Sequence, residues 1–182
     1  MNTMSNVKRS LVAAVCIALG VVLPMAFHSV KNAGSIFCPM HIPVLLCGLV
    51  DGWAFGLLCG LVTPLLSSLL TGMPPMAYLP AMMIELAVYG LVSALMMQFV
   101  HTKRLYADLY LSLVVSLVAG RIIAGAAKAL IFAAGKYSMT AWMTGYFVTC
   151  LPGLIIQIIL VPSIIVALMK ARLIPNRYPV HE

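Results

Sequence analysis

Residues Leu109–Ala134, LYLSLVVSLVAGRIIAGAAKALIFAA, form an apolar run that suits a lipid bilayer better than a soluble core. An α-helix needs ~20 residues to cross a hydrocarbon core of ~30 Å, and the run meets that length. Two cations, Arg121 and Lys128, sit inside it. A charge at that depth costs roughly 2.5–3.5 kcal/mol on insertion scales, so each is expected to face a cavity, a partner or a ligand rather than lipid. Their spacing of two helical turns puts them on one face, together with the small residues Gly120, Ala124, Gly125 and Ala127. Cations set among small side chains on a membrane helix point to a site for something anionic.

Composition extends this reading to the whole chain. Of its 182 residues 63% are hydrophobic and 8% charged, and the mean hydropathy is +1.10. An ordinary soluble domain carries ~25% charged residues and is excluded. The net charge of +7 comes from basic residues at span ends, where they orient the chain rather than bind nucleic acid. Five cysteines without a CxxC read as small hydrophobes, not as a disulfide framework. Cys38-Pro39-Met40-His41 has the CxxH spacing of a soft-metal site, with Met25 and His28 upstream, but packing at a helix end accounts for the same residues. Lys8 and Arg9 ahead of Leu11–Phe27 imitate a secretory signal; Phe27-His28-Ser29 is a poor cleavage site, so the segment reads as a retained first helix.

The apolar runs predict a single domain over 1–182, an all-α membrane protein built as a compact bundle of six transmembrane helices. The spans fall at about 11–28, 41–51, 53–70, 76–100, 109–134 and 141–169. The second, broken off by Asp51-Gly52, is too short to span upright and reads as tilted or partly re-entrant, which is tolerated where a segment is buried in protein. Pro64, Pro152 and Pro162 are expected to bend their helices, and Thr71-Gly72-Met73-Pro74-Pro75 is the clearest turn. With the N-terminus inside, Lys8, Arg9, Lys103, Arg104, Lys170, Arg172 and Arg177 all lie on the inner side, against Lys31 and Lys136 outside. The positive-inside rule therefore puts both termini in the cytoplasm.

Depth decides which polar groups can meet. Glu85 lies ~13 Å from the outer end of its helix at 1.5 Å per residue, between Arg121 at ~20 Å and Lys128 at ~9 Å. It can pair with either cation, and the other is left needing an anion. A substrate carboxylate or phosphate arriving from outside would supply it. Lys128, nearer the surface, is the favoured direct contact, with Arg121 as contact or counter-charge to Glu85. Tyr89, Asn32, His41, Trp142 and Tyr146 are the supporting candidates around that end, Trp142 being equally readable as an interfacial anchor. Gln157 reads as a helix–helix hydrogen bond. Enzyme motifs are missing: there is no HExxH, GxSG or P-loop, and Ser67 and Ser68 lack a histidine at matching depth. No catalytic residue, cofactor or metal is expected.

The size, the six spans and Ala14-xxx-Ala18 on the first helix, with PMHIPVLLCGLVDGWAFGLLCGLVTPLLSSLLTGMPP (39–75) and MMIELAVYGLVSAL (82–95), resemble the substrate-binding (S) components of energy-coupling factor vitamin transporters, the pantothenate-type or related micronutrient group. The resemblance implies a binding subunit in a prokaryotic cell membrane. It would capture a water-soluble vitamin on the extracellular side, then associate with a membrane scaffold and two ATPase subunits and topple to release it inside. It also implies that Ala14 and Ala18 form the docking face for the scaffold, consistent with the close helix approach that small residues permit. The surplus cation favours an acidic vitamin, pantothenate first. Folate and nicotinate share that character, and cobalamin, with His28 or His41 as axial ligand, is the rival. An autonomous secondary transporter or a non-transport membrane scaffold would use the same bundle.

Overall fold

In lipid every backbone N–H and C=O must find its partner within the protein, and a helix achieves this segment by segment. The computed structural model describes residues 4–26, 33–132 and 138–176, and among these there is no strand. Eight α-helices follow one another: α1 (Asn6–Ala26), α2 (Ala33–Phe37), α3 (His41–Asp51), α4 (Trp53–Thr71), α5 (Leu79–Phe99), α6 (Leu105–Ala127), α7 (Met139–Met143) and α8 (Leu151–Lys170). Two π-helical turns, Lys128–Phe132 and Thr144–Thr149, extend α6 and follow α7. Among the described residues six segments are long and apolar enough to cross a membrane: α1, Gly34–Asp51, α4, α5, Leu105–Leu130 and α8.

The bundle is centred on α3 and α5. Helix α5 packs against α3, α4 and α6, while α3 also touches α1, α4 and α8. Ten of the eleven residues of α3 are buried, from His41 to Asp51 with Val50 excepted. A helix apolar on all sides belongs in such a centre. Helices α4 and α5 meet backbone to backbone: a Cβ on Gly90 would run into the carbonyl of Gly56, and one on Gly60 into that of Leu86. Gly56-Leu57-Leu58-Cys59-Gly60 is a small-xxx-small face, the device by which membrane helices gain close packing without a hydrophobic drive. At the rim, α1 buries only Ala13, Cys16, Gly20 and Val21. Ala14 and Ala18 lie on its exposed side, beside Leu11, Val15, Leu19 and Val22.

The first and last described residues come together. Met4, Ser5 and Lys8 line one cleft of about 470 Å³ with Met169 and Arg172–Asn176. At that end Asp108, fully buried in the first turn of α6, accepts from the Thr102 N–H at 2.9 Å and the Thr102 hydroxyl at 2.6 Å, tying down the loop from α5.

Several boundaries differ from those the sequence suggests. The last apolar stretch is not one helix from 141 to 169: it breaks at Cys150, and Pro152 stands in the first turn of α8 rather than at a bend. Proline is accommodated there because the first N–H groups of a helix have no intrahelical partner to lose. The stretch Leu109–Ala134 is helical from Leu105, four residues earlier than its apolar start, and turns π-helical at Lys128. Ser67 and Ser68, unpartnered by any base, hold the loop after α4 instead, donating to the carbonyls of Met73 and Pro74 at 2.7 and 2.8 Å.

Candidate functional site

The end of the bundle away from the termini, called here the distal end, gathers polar side chains on α3, α5, α6 and the segment before α8. On α5, Glu85 and Tyr89 are one turn apart, and the Tyr89 hydroxyl donates to Glu85 Oε1 at 2.8 Å. His41, at the start of α3, brings Nε2 to 3.5 Å from the same oxygen and its ring to 5.3 Å from that of Tyr89. All three residues are buried, Tyr89 completely. Glu85 thus pairs with His41 and Tyr89 and not directly with either cation. Depth along a helix left its choice of neighbour open, and the rotation of α5 toward α3 decides it.

Arg121 is 1% exposed. Its Nε donates to the Tyr146 carbonyl at 2.7 Å, and its guanidinium lies 5.9 Å from the ring centres of both Tyr89 and Phe147. Nη1 has no hydrogen-bond partner among the described residues. An unpaired charge-bearing N–H in so dry a place is costly unless an acceptor joins it. Lys128, half-buried, holds Nζ 5.2 Å from the ring centre of Tyr78 and 6.0 Å from that of Tyr146. Both cations therefore converge on Tyr146, one at its carbonyl and one at its ring.

The small residues on the cationic face of α6 turn out to admit aromatic rings. The Tyr89 ring rests where a side chain on Gly120 would be, and the Trp142 indole where one on Gly125 would be. Trp142 Nε1 donates to the Arg121 carbonyl at 3.1 Å and its ring meets Phe147 edge-on at 5.2 Å. It is a brace between α7 and α6, not a bare interfacial anchor.

Of the residues singled out in the sequence, Glu85, Tyr89, His41 and Arg121 form one connected cluster. Trp142, Tyr146 and Lys128 stand over it on the distal side. Asn32 and His28 lie outside the described residues. Sequence reasoning missed Phe147, considered Cys38 only in a CxxH spacing with His41, and gave Cys150 no place here. Gln157, buried in α8, bonds not to another helix but to the Cys38 carbonyl between α2 and α3, at 3.4 Å, while its Oε1 is unpartnered among the described residues. The signal for the missed group was the aromatic density of Trp142–Phe147 directly before a proline-started helix. No set of three or more His, Cys, Asp or Glu side chains arranged to hold a metal occurs among the described residues.

This arrangement can hold an anion: a buried guanidinium with a spare donor, aromatic walls, and a second cation toward the surface. Comparison with curated proteins gives no match. The family model described as ECF transporter, substrate-specific component, matches residues 8–165. With that match over most of its length, the chain belongs to the substrate-specific components of the ECF transporters.

Proposed function

We propose that this subunit captures a carboxylate-bearing, water-soluble vitamin at the distal end of the bundle, with pantothenate the first choice ahead of folate and nicotinate. The observation that carries the reading is Arg121: a buried cation whose Nη1 lacks a partner, two side chains away from a carboxylate already held by His41 and Tyr89. A ligand carboxylate supplies the missing acceptor, and Lys128 meets it on the way in. Cobalamin is the weaker choice, since His41 is 4% exposed and turns Nε2 to Glu85.

The excess of basic residues at the termini end supports a cytoplasmic location for both termini and an extracellular distal end, in the cell membrane of a prokaryote. Delivery then takes place with a membrane scaffold and two ATPase subunits. Ala14 and Ala18, on the exposed side of α1, offer the scaffold a face on which helices can approach closely.

Mass spectrometry of the small molecule released from the purified, denatured subunit identifies the class, and calorimetric titration with pantothenate measures it. Arg121→Ala is expected to weaken binding by about 30-fold or more, because truncating one partner of a buried charge pair costs about 2–5 kcal/mol. Lys128→Ala is expected to weaken it less. Unchanged affinity in both variants would sink the site, and a neutral or cationic co-purifying molecule would sink the substrate class.

A further inference from the structure

Two cysteines lie at the same end, beside the anion site, and Cys150 interacts with the Arg121 side chain. Cys38 follows α2 and Cys150 directly precedes α8. Far apart in sequence, their thiols share one acceptor, the Ser35 carbonyl, at 3.5 Å from Cys38 Sγ and 3.0 Å from Cys150 Sγ. Gly153 makes the approach possible: the first turn of α8 sits so close to the carbonyls of Ile36 and Phe37 that no Cβ would fit between. Cys38 itself is fixed. It is a non-glycine residue at φ +46°, a left-handed conformation that surrounding structure must hold. Its carbonyl accepts from the His41 N–H at 3.1 Å and from Gln157 at 3.4 Å.

The two thiols differ in access and reactivity. Cys38 is 5% exposed, whereas Cys150 is half-buried. The neighbouring Cys38 thiol holds Cys150 below the ordinary thiol range, to about 7, with burial opposing. The thiol also donates to the Gly145 carbonyl at 3.1 Å, and it reacts through its thiolate form. Cys16, Cys47 and Cys59 are buried on α1, α3 and α4, away from this end.

We propose that Cys38 and Cys150 are an oxidation-sensitive pair whose disulfide staples the α2 segment to the start of α8, beside the anion site. Hydrogen peroxide suffices as oxidant. The Cys150 thiolate attacks one peroxide oxygen, the O–O bond breaks, and the departing hydroxide takes up a proton as water, leaving a sulfenic acid. Cys38 sulfur then attacks the Cys150 sulfur; the S–S bond forms, the S–O bond breaks, and the hydroxyl leaves with the Cys38 proton as a second water. Two thiols are oxidised by one peroxide, which is reduced to two waters. That this end faces an oxidising exterior rests on the orientation proposed above, but the thiol chemistry does not.

The test uses the purified subunit in detergent, with and without hydrogen peroxide, and no vitamin, so its outcome is independent of the substrate reading. Peptide mapping without reductant is expected to find Cys38 and Cys150 in one linked species lacking two hydrogens and separated by dithiothreitol. Amide exchange in residues 34–40 and 151–154 is expected to slow by about tenfold or more on oxidation, as opening of the two segments becomes coupled. Cys38→Ser is expected to send Cys150 on to sulfinic acid; should that variant fail to fold, the more exposed Cys150→Ser is expected to leave Cys38 reduced. Sulfinic acid at Cys150 beside a free Cys38 in the unaltered protein would overturn the pairing. A disulfide that leaves amide exchange unchanged would overturn the staple.

Discussion

Replacing Tyr89 by Phe isolates one hydrogen bond in the distal cluster. The ring stays, so its contacts with Gly120, His41 and Arg121 survive; only the hydroxyl that donates to Glu85 at 2.8 Å is lost. Glu85 then keeps His41 alone, at 3.5 Å. A hydrogen bond to a charged group contributes about 1.5–3 kcal/mol, and no compensating donor from the described residues is placed to replace it. For a chain of this size about 2–4 °C accompanies each kcal/mol, so the midpoint of thermal unfolding is expected to fall by about 3–12 °C. Tryptophan fluorescence of the detergent-solubilised protein on heating reports it, with Trp53 and Trp142 as probes. Glu85→Gln completes a double-mutant cycle with an expected coupling of about 0.5–3 kcal/mol. Unfolding of Tyr89→Phe at the parent temperature, or strict additivity in the cycle, would show that the hydroxyl does not support the carboxylate.

Four further outcomes follow from contacts elsewhere. Gly90→Ala forces a Cβ onto the Gly56 carbonyl and is expected to destabilise by about 1–3 kcal/mol or more; Gly34→Ala, with open space around it, should stay within about 0.5 kcal/mol, and equal unfolding temperatures for the two would refute the α4–α5 packing. Trp142→Phe removes the donor to the Arg121 carbonyl at a cost of about 0.5–1.5 kcal/mol, read as a lower unfolding temperature with the fold kept by circular dichroism. Asp108→Ala deprives Thr102 of its two bonds to that carboxylate and is expected to cost about 1–2 kcal/mol, seen as faster proteolysis at the loop 100–104. Ala14→Trp on the exposed side of α1 is expected to abolish uptake in cells while leaving substrate binding intact; lost binding in the folded variant would count against the proposed docking there.

What the sequence conveyed and what it withheld divide along physical lines. Apolar length is a one-dimensional property, so the number of spans could be read directly; the second is longer than expected, because the segment long enough to cross starts at Gly34 rather than His41. Pro152 was ambiguous in principle, because the same residue bends a continuous helix or begins a new one, and only the packing of α8 against α2 through Gly153 separates the two. Arg121 and Lys128 were conspicuous by the cost of their charge. Their surroundings were not: spacing gives depth, whereas partner choice depends on how each helix is rotated about its axis. Hence Glu85 was matched in depth to the cations but turns to His41 and Tyr89. The small residues of α6 point in the sequence to a site for something anionic, and at Gly120 and Gly125 aromatic rings fill the space they leave.

The enclosure of α3 has a consequence for how the protein is made. At 1.5 Å per residue its eleven residues cover only ~16 Å, about half the hydrocarbon thickness, and His41 and Asp51 close its two ends. Lipid alone is a poor host for such a segment, yet helices α4, α5 and α8 that wall it in are synthesised after it. Its final seating therefore awaits the C-terminal half of the chain. Stepwise addition of independent spans is not expected: nascent chains ending after α4 should leave α3 accessible to aqueous thiol reagents at Cys47, and chains extended through α8 should shield it.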